Sequence, residues 1–430
     1  MSPALSRARG NAILPTMNFE EFTNAVGGDA EALRKNFAAL WEKMSATLPP
    51  EKYACAYLAP EALKAHWAMS PLRDDSLPEL LALAEQVRGD ETLLALAALM
   101  HFALFEDAEG PGAWNIPYPA GRFATEESQG LLNFLVALGF CPVFARLNRA
   151  RGIPEETISA TLGQIACYAN NFHRAFGHAG IYRGQLSWLH TYMPPRRYFR
   201  IGRLEFCQQP YSRSAVAYRN KTTGEIAAFA APGLKFMPDG RLCRTDEKAP
   251  ADALETIREE ANGFARGNRI GKNARIEATP VALPLADWEC VLRQGDPIME
   301  MHIPSGGGMG PDLVRDAMKR SFAFFDKYFP GNGTKALTCG SWILSAQLQE
   351  ALPPGSNILA LQDMVHLVPV APSAGCDGGL WFLFLSRPPY DPKALPRDTS
   401  MRRAVAEWME KGETFCAGEM FILRDEVARL

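Results

Sequence analysis

The sequence contains no Cys-x-x-Cys pair; its nine cysteines, Cys55, Cys141, Cys167, Cys207, Cys243, Cys290, Cys339, Cys376 and Cys416, stand singly. An odd set of isolated thiols argues against a disulfide framework and a zinc ribbon, and it fits a reducing cytoplasm. Uninterrupted apolar runs of the roughly 20 residues that a bilayer demands are also missing. The greasiest stretches, residues 93–105 and 131–145, are broken by His101 and Asn133 and are expected to be buried core helices. The first 15 residues carry Arg7 and Arg9 with no apolar stretch behind them, which fails as a secretory signal. Charge of one sign is lacking too: 45 basic and 48 acidic residues leave a formal net charge of -3. No overall field draws the chain to nucleic acid or to an anionic membrane, so any bound anion must be gripped locally. His173 and His178 are the only histidines close in sequence, and five positions apart on a helix they diverge by about 140°. No metal site is expected.

What is present is ordinary globular text, with 47% hydrophobic and 22% charged residues over 430 positions. That length suits two domains, with room for a third. From Asn18 to about Trp188 the apolar residues recur at three and four, the period of packed helices. Leu33, Phe37, Leu40, Trp41 and Met44 form one such stripe. Gly89-Asp90 marks a break, Thr125 a capped start, and Pro154 the entry to a helix running toward Phe176. Met193-Pro194-Pro195-Arg196-Arg197 cannot continue a helix and is the best linker candidate.

Beyond the linker the period changes. Strands are expected over residues 198–206, 214–219, 226–231, 296–304, 336–338, 358–370 and 380–385, with helices over 251–265, 311–328 and 343–351. The second half is therefore α/β or α+β around a mixed sheet, after an all-α first half.

The most informative segment is residues 296–304, a strand, followed by Ser305-Gly306-Gly307-Gly308-Met309-Gly310 and a helix opened by Pro311-Asp312. Glycines let backbone amides approach a ligand closely, and unpaired amides at a helix start carry partial positive charge. Together they make a pyrophosphate cradle. A tight strand-to-helix turn explains the glycines as well. Neither nucleotide fingerprint fits, because the Gly-x-Gly-x-x-Gly spacing is broken and Gly310 precedes proline where a P-loop needs lysine.

The order strand, Gly-rich loop, helix, strand, helix and two strands resembles the second half of the GNAT acyltransferase superfamily. Gly308 and Gly310 fall on that family's glycine positions, and Ser305 stands where it has Gln or Arg. More narrowly, His302-Ile303-Pro304 with its loop, Cys339-Gly340-Ser341-Trp342-Ile343-Leu344 and Ser356-Asn357-Ile358-Leu359 resemble bacterial acyltransferase-domain proteins. These join a helical N-acyltransferase N-terminal domain to a GNAT-like C-terminal domain. The resemblance implies an acyl-CoA-dependent N-acyltransferase, with acetyl-CoA as the first donor to consider and a small-molecule amine as acceptor. Residue patterning and the resemblance, which runs from Asn18 to about Pro388, together give a disordered segment 1–17, a helical domain 18–195, a GNAT-like acyl-CoA-binding domain 196–390 and a helical extension 391–430. A non-catalytic module binding coenzyme A or another phosphate ligand, or a transferase using a different phosphate-bearing cofactor, remains the alternative.

Acyl transfer from a thioester to an amine needs a slot for the pantetheine arm, donors for the carbonyl oxygen and a proton acceptor. In GNAT proteins the strand before the loop supplies the first two where it splays from its neighbour, which here implies Met301 and Ile303 beside the loop residues 305–310. Strand alternation puts Glu300 and His302 on one face as candidate bases, His302 first on its ordinary pKa near 6.5. An alternative is that the two pair structurally. Cys339 and Ser341 share a face on the next strand and could line the slot, with Ser341 or Ser345 returning a proton to the thiolate. No tyrosine occurs between Trp342 and Leu352 to take the acid role the family often assigns there. Asn357 and Asp363 could reach cofactor or cap a turn. Two basic clusters, Arg196, Arg197, Arg200 and Arg203, then Arg266, Arg269, Lys272 and Arg275 near a helix end, could meet a 3'-phosphate. Trp114, Tyr118 and Trp188 are candidate caps of an acceptor pocket.

Overall fold

The computed structural model describes residues 17–27, 29–47, 57–107, 118, 122–372, 379–386 and 388–430. The chain forms two compact units, Met1–Arg197 and Tyr198–Leu430, which part just after the Pro-rich junction. The cis Pro194-Pro195 bond lies in that junction.

The first unit is helical throughout its described residues. Its starts follow local chemistry. Asn18 and Glu21 form a capping box on Phe19–Val26, Asp90 accepts from Leu93 N at 3.0 Å, and Thr125 caps Glu126–Leu138. Pro154 precedes Glu155–Phe176, which ends at Gly177 with φ 79°. The residues 93–105 and 131–145 are buried core, with His101 and Asn133 enclosed among them. Residues 126–149 are nevertheless long and apolar enough, taken together, to cross a bilayer, which corrects the expectation that these runs are too short; 78% of the window is buried inside the unit. Residues 1–16 and Trp114 lie outside the described residues.

The second unit is built on a six-stranded mixed sheet with three smaller sheets attached. In chain order its strands are β1 Phe199–Ile201, β2 Leu204–Pro210, β3 Val216–Asn220, β4 Ile226–Phe229, β5 Lys235–Phe236, β6 Leu254–Glu255 and β7 Arg258–Ala261. They continue as β8 Phe264–Gly267, β9 Val281–Pro284, β10 Trp288–Leu292, β11 Pro297–His302, β12 Ala336–Ser341, β13 His366–Pro369 and β14 Gly418–Leu423. The main sheet has the order β1-β2-β11-β12-β14-β13, with β11 and β12 parallel and the other pairs antiparallel. One face carries the Pro311–Tyr328 helix: Phe199 packs on Phe325 and Phe329, and Phe199, Phe206 and Met301 share that face by register. The opposite face, with Ile298, Ala336, Phe421 and Leu423, packs on Ala217, Ala228 and Leu292 of the three-stranded β10-β3-β4 sheet.

Several elements differ from the sequence expectation. Residues 251–265 are strands, because Asn262-Gly263, at φ 51° and 79°, fold β7 onto β8 as a two-residue hairpin. The Arg266 cluster consequently lies on β8 and the following loops, not at a helix end. Residues 198–206 are a hairpin turned at Gly202, not one strand. Asn357–Asp363 is a helix capped by Ser356, and only His366–Pro369 is extended. Leu380–Phe384 is helical where a strand was expected. Residues 343–351 hold a single 3-10 turn and a four-residue helix. The most consequential correction concerns residues 391–430. They contain the Ser400–Glu410 helix, but β14 then inserts between β12 and β13, so this segment completes the main sheet and does not extend beyond it.

Candidate active site

The ladder between β11 and β12 ends at Glu300 and Thr338. Past that point Met301 and His302 on one strand, and Cys339, Gly340 and Ser341 on the other, have no ladder partner across the gap. Both strands stay held on their outer sides, β11 by β2 through His302–Glu205 and β12 by β14 through Ser341–Gly418. Two parallel strands that part while their other edges remain paired leave a slot open at their carboxyl ends.

The Gly-rich loop follows directly. Gly306 and Gly307 have φ 81° and 67°, a conformation side chains resist, and residues 305–308 are exposed. Among the described residues none accepts a hydrogen bond from the amides of Gly306, Gly307, Gly308, Met309 or Gly310. Gly310 caps the Pro311–Tyr328 helix without a side-chain bond. The loop is pinned from behind by Arg203, whose Nε donates to Gly308 O at 2.9 Å. Of the first basic cluster, Arg203 therefore sits at the loop, whereas Arg200 is committed to Glu205 at 3.1 Å. In the second, Arg266, Arg269 and Arg275 pair with Glu259, Glu225 and Glu350.

On the sheet face away from the helix, register aligns Glu205 with His302 and Cys207 with Glu300 and Thr338. Glu300 receives Arg213 Nη2 at 2.6 Å on one oxygen, and Thr338 Oγ1 at 2.7 Å with Gln209 Nε2 at 3.2 Å on the other. Burial raises its carboxyl above the ordinary range, and Arg213, Thr338 and Gln209 pull against that rise. His302 stacks edge-on against Tyr198 with ring centroids 5.1 Å apart. Burial first, and the Arg213 charge second, push its imidazole down from 6.5 to about 4. It is neutral near pH 7 and a weaker base than its sequence suggests.

Cys339 and Ser341 share the other face of β12. The Cys339 thiol is buried and pushed up by that burial, then by Glu300, so it carries no thiolate at neutral pH. Ser341 Oγ accepts from Ile343 N at 3.5 Å, and Ser345 is buried beyond it. Met301 is fully buried, Ile303 half-buried, and Asn357 exposed at the first turn of its helix. Tyr118 is buried in the helical unit and donates to Asn133.

Two residues that the sequence did not single out complete the cluster. Arg213 also gives Nη1 to Glu419 Oε1 at 2.5 Å, bridging β11 and β14. Its guanidinium lies over Gly340, where an added Cβ would meet Nη1 and Nη2 at 3.3 Å. Glu300 and Glu419 outweigh burial and raise Arg213 above its ordinary value. At the same carboxyl edge, a cavity of about 540 Å³ is walled by residues following β12, ending β13 and preceding β14, and on its other side by residues within 237–250 and 273–275. Among the described residues no group of three or more His, Cys, Asp or Glu is placed to hold a metal ion.

A family model described as the GNAT-like C-terminal domain matches residues 198–420, and one described as the N-acyltransferase N-terminal domain matches residues 62–193. No curated protein matches the sequence. The solved structures to which the chain is similar include three at 20% identity. One is an acyltransferase mutant in complex with octanoyl-CoA, with a TM-score of 0.60 over 94% of this chain and 98% of that one. Another is an acyltransferase in complex with decanoyl-CoA and teicoplanin, with a TM-score of 0.60 over 95% and 99%. The third is an acyltransferase in complex with CoA and 10C-Teicoplanin, with a TM-score of 0.59 over 95% and 99%. At this identity the likeness shows the fold.

Proposed function

Since the chain belongs to the GNAT-like C-terminal domain family, with an N-acyltransferase N-terminal domain before it, and is an acyltransferase, we propose that it moves an acyl group from acyl-CoA to an amine. The observation that carries this reading is the pairing of the unoccupied amides of residues 306–310 with the slot between β11 and β12. The loop would take the diphosphate of coenzyme A at a helix start, and the slot would take the pantetheine arm and the thioester. Arg203 holds the loop in that form and adds positive charge beside it.

The structural neighbours carry octanoyl- and decanoyl-CoA, which favours a medium acyl chain over acetyl for this protein as well. Teicoplanin, a glycopeptide, accompanies two of them, so an amine on a large polar acceptor belongs in the panel beside small amines. The isolated thiols, seven of them outside any disulfide among the described residues, suit a reducing cytoplasm.

The test is direct. Octanoyl-CoA should raise the thermal midpoint where ATP and NAD do not, and free thiol should appear on adding an amine. Acetyl-, octanoyl- and decanoyl-CoA compared in that assay rank the donors. Binding without thiol release against the whole panel would identify a coenzyme A-binding module in place of an enzyme. No stabilisation by any acyl-CoA would remove the reading.

A further inference from the structure

Acylation of an amine at neutral pH starts from an ammonium ion, which has no lone pair to attack with until it loses a proton. The two groups that strand alternation nominates as acceptors are both compromised. Glu300 has each carboxylate oxygen engaged, one by Arg213 and the other by Thr338 and Gln209. His302 holds a proton only below about pH 4. A third group lies on the same face. Glu419 of β14 stands directly across from Gly340 of β12, the residue that borders the gap.

Glu419 Oε1 accepts from Arg213 Nη1, while Oε2 has no partner among the described residues. Its side chain is 25% exposed, against 13% for Glu300. Because Gly340 has no side chain, the Arg213 guanidinium can lie over it, and Glu419 is held beside the place where β11 and β12 part. On its other flank Glu419 pairs in register with Val368 and follows Gly418. Val368 and Gly418 both line the 540 Å³ cavity, together with Leu344, Gln347 and Trp408. That volume is in the range of small-molecule sites. Arg213 holds one Glu419 oxygen beside Gly340 and leaves the other for a further donor.

We propose that Glu419 is a catalytic residue whose second carboxylate oxygen takes the proton from an acceptor ammonium bound at this carboxyl edge of the sheet. The proposal rests on the acyltransferase reading above. The proton passes from nitrogen to Glu419, and the freed lone pair forms the C–N bond with the thioester carbonyl carbon. The C–S bond then breaks with its electron pair on sulfur. The second nitrogen proton neutralises the thiolate, and Glu419 returns its own proton to solvent.

The experiment uses the full chain with octanoyl-CoA and two probe amines. n-Butylamine is an ammonium at neutral pH, whereas hydroxylamine is already uncharged and needs no base to attack. For Glu419→Gln, kcat with butylamine should fall about 10²-fold or more, with octanoyl-CoA affinity retained and the hydroxylamine rate within about threefold of wild type. The butylamine defect should shrink as pH rises and the amine deprotonates in solution. Glu419→Asp, which keeps a carboxylate, should recover part of the loss and guards against a Gln variant that does not fold. Full butylamine turnover in Glu419→Gln overturns the assignment, as does an equal fall with both amines. A wild type that turns over hydroxylamine but not butylamine has no proton acceptor here and overturns it too. A wild type that binds octanoyl-CoA and releases no thiol with either amine fails the acyltransferase reading first, and the assignment with it.

Discussion

Acidification should destabilise the site through His302. The imidazole is held down from its ordinary 6.5 to about 4, first by burial and then by the Arg213 charge. A base whose folded pKa is depressed contributes stability above its unfolded pKa and loses it as pH falls toward the folded one. The window is therefore pH 6.5 down to about 4. pH 5 lies one and a half units below that ordinary value, and at about 1.36 kcal/mol per unit the loss is about 2 kcal/mol. His302→Gln keeps a polar side chain and removes the titration. Because the chain has two compact units, a single unfolding curve would mix their transitions, so the readout is amide hydrogen exchange of β2 and β11, corrected for the intrinsic rate. Wild type should lose about 2 kcal/mol more opening free energy than the variant between pH 7.5 and 5. His101, buried in the first unit and pushed by that burial down to about 3, supplies a control, since amides of Glu91–His101 should lose protection equally in both proteins. Equal pH dependence of β11 in wild type and variant would show that the imidazole is not held neutral by its surroundings.

The loop and the clamp give two more expectations. At Gly308 an added Cβ meets nothing within 4 Å and the backbone is not left-handed, so Gly308→Asp should leave the thermal midpoint unchanged while a carboxylate faces the phosphates. Coenzyme A affinity measured by calorimetry should fall at least tenfold, about 1.4 kcal/mol; unchanged affinity would mean the phosphates lie elsewhere. Arg213→Met leaves Glu300 and Glu419 partly buried without their shared cation, a loss of about 3 to 5 kcal/mol of stability in the second unit. Arg213→Lys should recover only part, since an ammonium cannot bridge both carboxylates as a fork does; a loss under 1 kcal/mol for Arg213→Met would contradict the clamp.

Helix starts and stops were the most legible features of the chain, because capping is local. Thr125, Asp90 and Pro154 announce helices within three residues of themselves, and each helix begins where those residues place it. The second unit was harder for a physical reason. Short apolar runs such as residues 380–385 suit a buried strand or a buried helix equally, and only packing decides. The hairpin at Asn262-Gly263 is the exception, a turn whose dipeptide is a strong local signal set within residues that also suit a helical period. Nothing local in residues 418–423 shows that they enter the middle of a sheet whose other strands lie between 49 and 219 residues earlier in the chain. Strand order is a non-local property.

The site divides along the same line. The loop was legible because its chemistry is written in consecutive residues: glycines that leave amides open, then a proline that starts a helix. Glu300 and His302 were nominated by alternation on one strand, which depends only on near neighbours. Arg213 and Glu419 are invisible on that logic, being 87 residues before Glu300 and 119 after it. What joins them is the sheet order, which brings β14 beside β12, and the segment after β2, which carries Arg213 across the face that β3, β4 and β10 cover further along. The local pattern therefore picked the carboxylate already saturated with donors and passed over the one with an open oxygen. A lone glutamate on a late strand says nothing until its neighbour is known to be a glycine at the edge of a gap.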